Sequence, residues 1–304
     1  MSRLWTVIAV ATLMLGSSPL AAQSGGWTNL LDRDLSRWER YLSYRHQPGY
    51  DGSVPKRPNG DSIPPIGYNI DDTKVFSVVD DHGTPVLRVS GEVYGALFTR
   101  AEYSNYHLRL RVKWGTKKWP PRTDLLRDSG ILYHSIGAAG ADYWRAWKLA
   151  QEFQIMEGHM GDYWNIASSA ADIRAFIPEG KMNPVAGNAQ QFIPIGNGST
   201  YGGFCLRTAS FESPPGEWTQ IDLITIGDKS LHIVNGHVVM VLQHSRYTDG
   251  ARVTPLTRGQ IQIQSEAGEV FYRDIQIKPL GAMPKEYAPY FESRSTALTL
   301  PTSR

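Results

Sequence analysis

The chain has 304 residues, with 31 Lys+Arg against 29 Asp+Glu, so its formal net charge is only +2. That balance gives no electrostatic reason to expect nucleic acid or an anionic membrane as partner. A single cysteine, Cys205, excludes an intramolecular disulfide and any cysteine-cluster metal site, and reads as a small buried apolar residue.

Met1–Gln23 has a short basic start at Arg3, an apolar run from Leu4 to Leu15, and small residues at Ala21 and Ala22. A run of about 12 residues is too short to span a bilayer and fits a cleaved secretory signal. The expected organisation is a signal peptide over residues 1–23, one domain over 24–282 and a loose tail over 283–304. The mature protein is then expected to be periplasmic or secreted, with no stable membrane insertion.

From Val75 onward, short strand-like runs alternate with turn clusters. The runs are Val75–Val79, Pro85–Ser90, Tyr94–Thr99, Tyr106–Trp114, Gly130–His134 and Glu152–Met156, then Trp218–Ile226, Leu231–Val234, His237–Leu242, Gln260–Gln264 and Val270–Ile277. Within Tyr106–Trp114, Leu108, Leu110 and Val112 alternate with His107, Arg109, Arg111 and Lys113, as a half-buried strand requires. Gln260–Gln264 alternates likewise, setting Ile261 and Ile263 against three glutamines. Asn235-Gly236 and Asp81-His82-Gly83 predict hairpin turns. Only Asp142–Gln151 offers a short helical candidate. Tyr44–Asp72 and Asp162–Gly203 read as long loops, which on a compact sandwich usually lie over a site. Many antiparallel strands without helical partners predict two packed sheets.

Polar chemistry concentrates between Asp128 and Asp162. In an extended strand Glu152 and Gln154 share one face, with Phe153 and Ile155 on the other. Such a face is either solvated or a binding surface. Trp144 and Trp147 nearby favour binding, because flat aromatics beside amides and carboxylates suit sugar rings. His134 and His159 flank the strand and can move protons near neutral pH. They also have metal-ligating chemistry beside Glu152, Glu157 or Asp162, although no His-x-x-x-His spacing is present. Phosphate-loop and nucleophile-elbow motifs are missing.

Several strings, in order, resemble the 3-keto-disaccharide (3-keto-glycoside) hydrolase family. They are Gly26–Asp32 with Leu35-Ser36-Arg37-Trp38, Phe98–Tyr103 with Tyr106–Leu110, Asp128-Ser129-Gly130-Ile131, Glu152-Phe153-Gln154-Ile155, Gly216-Glu217-Trp218-Thr219, Asn235-Gly236, Gly259–Gln264 and Val270–Ile275. Thr219 departs from the family's asparagine. The resemblance runs from Trp27 to Leu280. It implies an all-β, concanavalin A-like jelly-roll sandwich of two antiparallel sheets, acting on sugars already oxidised at C3. A C3 ketone acidifies the C2 proton; a base removes it, and the glycosidic oxygen leaves C1 by elimination, with or without later addition of water. Such a site needs a base, an enolate stabiliser and an acid.

On this reading Glu152 or His134 is the base, and His159 or Glu157 protonates the leaving oxygen. Arg273, or a bound divalent metal, stabilises the enolate. Gln154, Gln264, Trp147, Asp162 and Tyr163 hold the sugar. Arg100 matches a family position as well, either at the substrate or paired with Asp128 to hold strand ends. Two alternatives stay open. One is a carbohydrate-binding module on the same fold. The other is a conventional glycosidase, for which Glu152 and Glu157 have suitable spacing but Gln154 stands where a middle aspartate belongs.

Overall fold

The computed structural model describes residues 26–292. The expected signal segment Met1–Gln23 and the last part of the tail lie outside the described residues.

The strands are, in chain order, β1 (Thr28–Asn29), β2 (Trp38–Leu42), β3 (Gly67–Tyr68), β4 (Phe76–Asp81), β5 (Thr84–Val89), β6 (Gly95–Thr99) and β7 (Tyr106–Lys118). Then follow β8 (Asp128–Ile136), β9 (Leu149–Met156), β10 (Tyr163–Ile166), β11 (Ser169–Phe176), β12 (Val185–Ala186), β13 (Phe192–Gly196) and β14 (Phe204–Cys205). The last are β15 (Thr219–Ile226), β16 (Lys229–Val234), β17 (His237–Asp249), β18 (Arg252–Pro255), β19 (Gln260–Ser265) and β20 (Gly268–Pro279). They form two antiparallel sheets packed as a sandwich. One has the order β12-β11-β17-β16-β15-β7-β20-β5-β4, with β1 on β20, β13 on β11 and β18 on β17. The other has the order β14-β10-β9-β8-β19-β6-β2-β3.

Period-2 alternation builds the core. Leu108, Leu110 and Val112 of β7 meet Ile131 and Tyr133 of β8, Phe153 and Ile155 of β9, and Ile261 and Ile263 of β19 in one buried cluster. Fully burying each such side chain contributes about 1.5–3 kcal/mol. Both predicted hairpins are present. Asn235 and Gly236 have φ of 46° and 81°, and His82 and Gly83 have 52° and 86°, the left-handed pairs that fit the twist of two-residue hairpins.

Three expectations differ from the structure. Asp142–Gln151 is not helical. The Asp142 carboxylate accepts hydrogen bonds from the backbone N–H groups of Trp144 at 2.7 Å, Ala146 at 2.9 Å and Trp147 at 2.6 Å, which fixes a turn before β9 begins at Leu149. Asp162–Gly203 is not a long loop, since it carries β10 to β13. Its Ser169-Ala170-Ala171 stretch has weak strand propensity, but it is buried between neighbours, and tertiary packing decides such segments. The start of the tail is docked: Met283, Tyr287, Tyr290 and Phe291 pack on Ile224, Leu231, Ile233, Val238 and Val241, and a 3₁₀ turn spans Ala288–Phe291.

Candidate active site

The face of β8, β9 and β19 opposite the core is also buried. Gly130 pairs with Gln154 and Leu132 with Glu152 across β8 and β9, and Gln262 pairs with Leu132 across β19 and β8. One face therefore carries Glu152, Gln154 and Gln264 around Gly130. Connections between strands roof this face and leave a cavity of about 580 Å³, whose walls include Glu152, Gln154, Arg122, Trp144, Trp147 and Trp164.

Gly130 sets the geometry. Any Cβ there would fall inside contact distance of Glu152 Oε1 and Gln264 Oε1, so both side chains converge over bare backbone. Of the three β19 glutamines, Gln260 accepts from Lys148 Nζ at 2.6 Å. Gln262 donates to Ser135 Oγ at 2.8 Å. Gln264 is fully buried, yet neither its Oε1 nor its Nε2 has a partner, and Gln154 Oε1 lacks one too. Buried amides left unpaired cost about 1–3 kcal/mol each, and such groups lining a cavity mark where a ligand supplies the missing bonds. Trp147 is held by a hydrogen bond from Nε1 to the Gly95 carbonyl at 3.0 Å.

Charge in the cavity is lopsided. Arg122 Nη2 contacts Asp128 Oδ2 at 2.5 Å and Glu266 Oε1 at 2.9 Å. Asp142 adds a third buried carboxyl and Glu152 a fourth. Burial pushes Glu152 well above the ordinary carboxylate range, and the charges of Glu266, Asp128 and Asp142 push it further, while Arg122 opposes them. Burial likewise raises Asp128, Glu266 and Asp142. Glu152 accepts no hydrogen bond from any described residue. It is a buried, strongly basic carboxylate beside open space, the environment in which enzymes keep a general base.

A divalent metal does not fit these residues as they stand. Arg122 occupies the space between Asp128 and Glu266, and Asp142 is spent on backbone N–H groups. No group of three or more His, Cys, Asp or Glu able to hold a metal ion occurs among the described residues.

Of the residues singled out in the sequence, the structure brings Glu152, Gln154, Gln264 and Trp147 together. It places the others elsewhere. His134 lies inside the sandwich against Tyr106 and Tyr133, and burial lowers its pKa to about 4, so it is a neutral core ring. The left-handed backbone at His134, φ 53°, accompanies a bulge that turns its side chain out of the alternation. His159 binds Asp162 at 3.1 Å at the turn between β9 and β10, and Arg207 binds Asp162 at 2.9 Å. Glu157 pairs with Arg127 at 2.8 Å and lines a different cavity. It falls one residue past the strand, off the face of Glu152, which removes the paired-carboxylate geometry of a conventional glycosidase. Tyr163 is buried and donates to Gln151 Oε1 at 2.6 Å. Arg273 stacks on Trp218 at 4.3 Å in the other sheet. Arg100 pairs with Glu39 at 2.7 Å, so Asp128 takes Arg122 rather than Arg100 as its partner.

Sequence reasoning missed Arg122, Asp142 and Glu266. They sit in connections with no periodicity to flag them. The readable signal was the surplus of turn-located carboxylates around a strand already carrying Glu152.

Residues 26–278 match the model of the 3-keto-alpha-glucoside-1,2-lyase-like domain. The chain belongs to that family. It is a carbohydrate-active protein. Two solved structures from Parabacteroides distasonis ATCC 8503, each provisionally assigned as a glycosyl hydrolase, resemble it. One shares 16% identity over 84% of this chain and 100% of the other, with a TM-score of 0.45. The second shares 17% over 84% and 94%, with a TM-score of 0.46. The carbohydrate-binding module CBM66 from Bacillus subtilis shares 9% over 67% and 91%, with a TM-score of 0.37. No curated protein matches the chain.

Proposed function

We propose that this protein cleaves glycosidic bonds of 3-keto-sugars by removing the C2 proton and expelling the C1 substituent. The observation that carries this is the Glu152 carboxyl, buried, unpartnered and made basic, over Gly130 in an aromatic-walled cavity. A carboxylate made more basic by burial and by neighbouring carboxyls can take a proton made acidic by an adjacent ketone. Arg122, the cation on the cavity wall, takes the stabilising role that sequence assigned to Arg273. Its charge favours the enolate oxygen. The amides of Gln264 and Gln154 supply hydrogen bonds to sugar hydroxyls, and Trp147 an apolar face. The proton taken by Glu152 can return to the leaving oxygen, which departs from the carbon next to C2. Water then adds to C1 in the hydrolytic outcome.

The test pairs 4-nitrophenyl glucoside with its 3-keto form. Cleavage of the keto form alone is expected, with a low-pH limb in kcat/KM set by a carboxylate above its usual range. E152Q should lower kcat by roughly 10²–10⁴-fold and abolish that limb. Near wild-type turnover by E152Q would remove Glu152 as base. Sugar binding without cleavage of either substrate would support a binding module instead. Export is a separate proposal that rests on the signal-like segment Met1–Gln23: the secreted protein should begin near Gln23, and a retained Met1 would contradict it.

A further inference from the structure

The cavity changes character between its floor and its mouth. At the floor stand the buried Glu152 and Gln154, with Gln264 beside Glu152 over Gly130; Gln154 Oε1 and both amide atoms of Gln264 are without partners. At the mouth stand two large exposed aromatics from different parts of the chain, Tyr143 on the connection from β8 to β9 and Trp164 on β10. Tyr143 is 62% exposed and Trp164 is 40% exposed, and both line the same cavity. Exposed aromatics of this size need a reason when they share a cleft.

Both rings are braced from behind. Tyr143 lies against Gly52, where a Cβ would come within 2.6 Å of Tyr143 Cζ, and its hydroxyl donates to the Asp51 carbonyl. Trp144 meets it edge-on at 5.0 Å. Trp164 rests on Phe204 at 4.5 Å. Rings fixed before a ligand arrives lose little entropy on binding. The apolar part of the lining also includes Trp144, Ile166 and Ala167, and the charged wall residues beyond the floor are already engaged, Arg122 with Asp128 and Glu266, and Asp142 with backbone N–H groups. Asn165, the amide near the mouth, donates from Nδ2 to the Ala167 carbonyl at 2.9 Å. A second sugar in this position would bring several hydroxyls to a wall whose polar groups, outside the floor, already have partners. A planar aromatic group would not.

We infer that the mouth is a leaving-group subsite for an aromatic aglycone, so that the preferred substrates are aryl 3-keto-glycosides. The inference rests on the elimination reading proposed above. The step balances without a further reagent. The C2–H bond breaks and its proton goes to the Glu152 carboxylate, while the electron pair forms the enolate with the C3 oxygen. The C1–O bond then breaks, its pair stays on the aryl oxygen, the C1–C2 double bond forms and the C3 ketone is restored. The aryl oxide recovers one proton. A phenol ionises near pH 10, as tyrosine does, well below a sugar hydroxyl, so an aryl oxide departs without a strongly positioned acid. That agrees with the placement of His159 and Glu157 away from the cavity. The reaction class that must supply this substrate is oxidation of an aryl glycoside at C3.

The experiment compares a phenyl 3-keto-glucoside with a 3-keto-disaccharide on wild type, W164A and Y143A. Wild type should show a KM at least about 10-fold lower for the phenyl substrate. W164A should raise that KM by about 10-fold, as loss of an aromatic contact worth ~1.4 kcal/mol implies, and shift the disaccharide less than about 3-fold. Equal shifts for the two substrates, or none, overturn the aromatic subsite. If wild type cleaves neither, the elimination reading fails separately, and calorimetry decides the subsite. Phenyl glucoside binding about 10-fold tighter than methyl glucoside, with the difference lost in W164A, supports it; equal affinities overturn it.

Discussion

Gly130 shows how one residue can carry a site without contributing an atom to the chemistry. It lies mid-strand in β8 between the Glu152 and Gln264 side chains, and its missing Cβ is the space into which both carbonyl-type oxygens point. Its φ is not among the positive values, so alanine would suit the backbone. The clash is with the ends of two side chains, which can move without breaking the sheet. G130A should therefore lower kcat/KM by roughly 10²-fold or more, in line with the sensitivity of catalysis to displacements near 1 Å. Its melting temperature should fall by only a few degrees, read by calorimetry beside the kinetics. Unchanged kcat/KM in a folded G130A would show that the positions of Glu152 and Gln264 over Gly130 do not matter to turnover.

Elements were far more legible in the sequence than the site. The alternation in β7 and β19 and the turns Asn235-Gly236 and His82-Gly83 are local signals, and the structure keeps them. Strand β11 left no such signal, because its small residues Ser169, Ala170 and Ala171 are chosen by close packing in the sheet beside β17 rather than by propensity. The alternation also has a blind spot. It separated Ile261 and Ile263 from the glutamines of β19 correctly, but it could not say that the glutamine face is covered too. Docking of the tail was equally invisible, since it depends on Arg174 far away in sequence. That buried guanidinium donates to the carbonyls of Gln190, Tyr290 and Glu292, each at 2.6 Å. R174A would leave these oxygens short of donors and release the aromatic strap from β15, β16 and β17. A loss of about 2–4 kcal/mol in urea unfolding is expected, with kcat on the 3-keto substrate unchanged because the strap is remote from the cavity. A neutral R174A would mean that the strap holds by apolar packing alone.

At the scale of the whole molecule, the site is a cost that the sandwich carries. Asp128, Asp142, Glu152 and Glu266 are buried around the single guanidinium of Arg122, and burial raises all four carboxyl pKa values. A group whose folded pKa lies above its unfolded one favours folding when protonated. Its penalty is absent below the ordinary carboxylate range and grows as pH rises through the window up to the folded value. Sequence could not show this, because Glu152 on paper is one more charged residue on an alternating strand. The fold tolerates the arrangement because its extensive inter-sheet core is untouched by it. Removing the Glu152 charge should then stabilise the protein while inactivating it, the usual trade at a catalytic centre. E152Q is expected to gain about 1–2 kcal/mol over wild type near pH 8, and the gain should shrink to nothing near pH 4, where both carry a neutral side chain. Urea unfolding at a series of pH values measures the difference. A gain that is independent of pH would assign the effect to packing, and a loss at pH 8 would mean that the Glu152 carboxylate is satisfied in the folded protein and is not held there as an unpaired base.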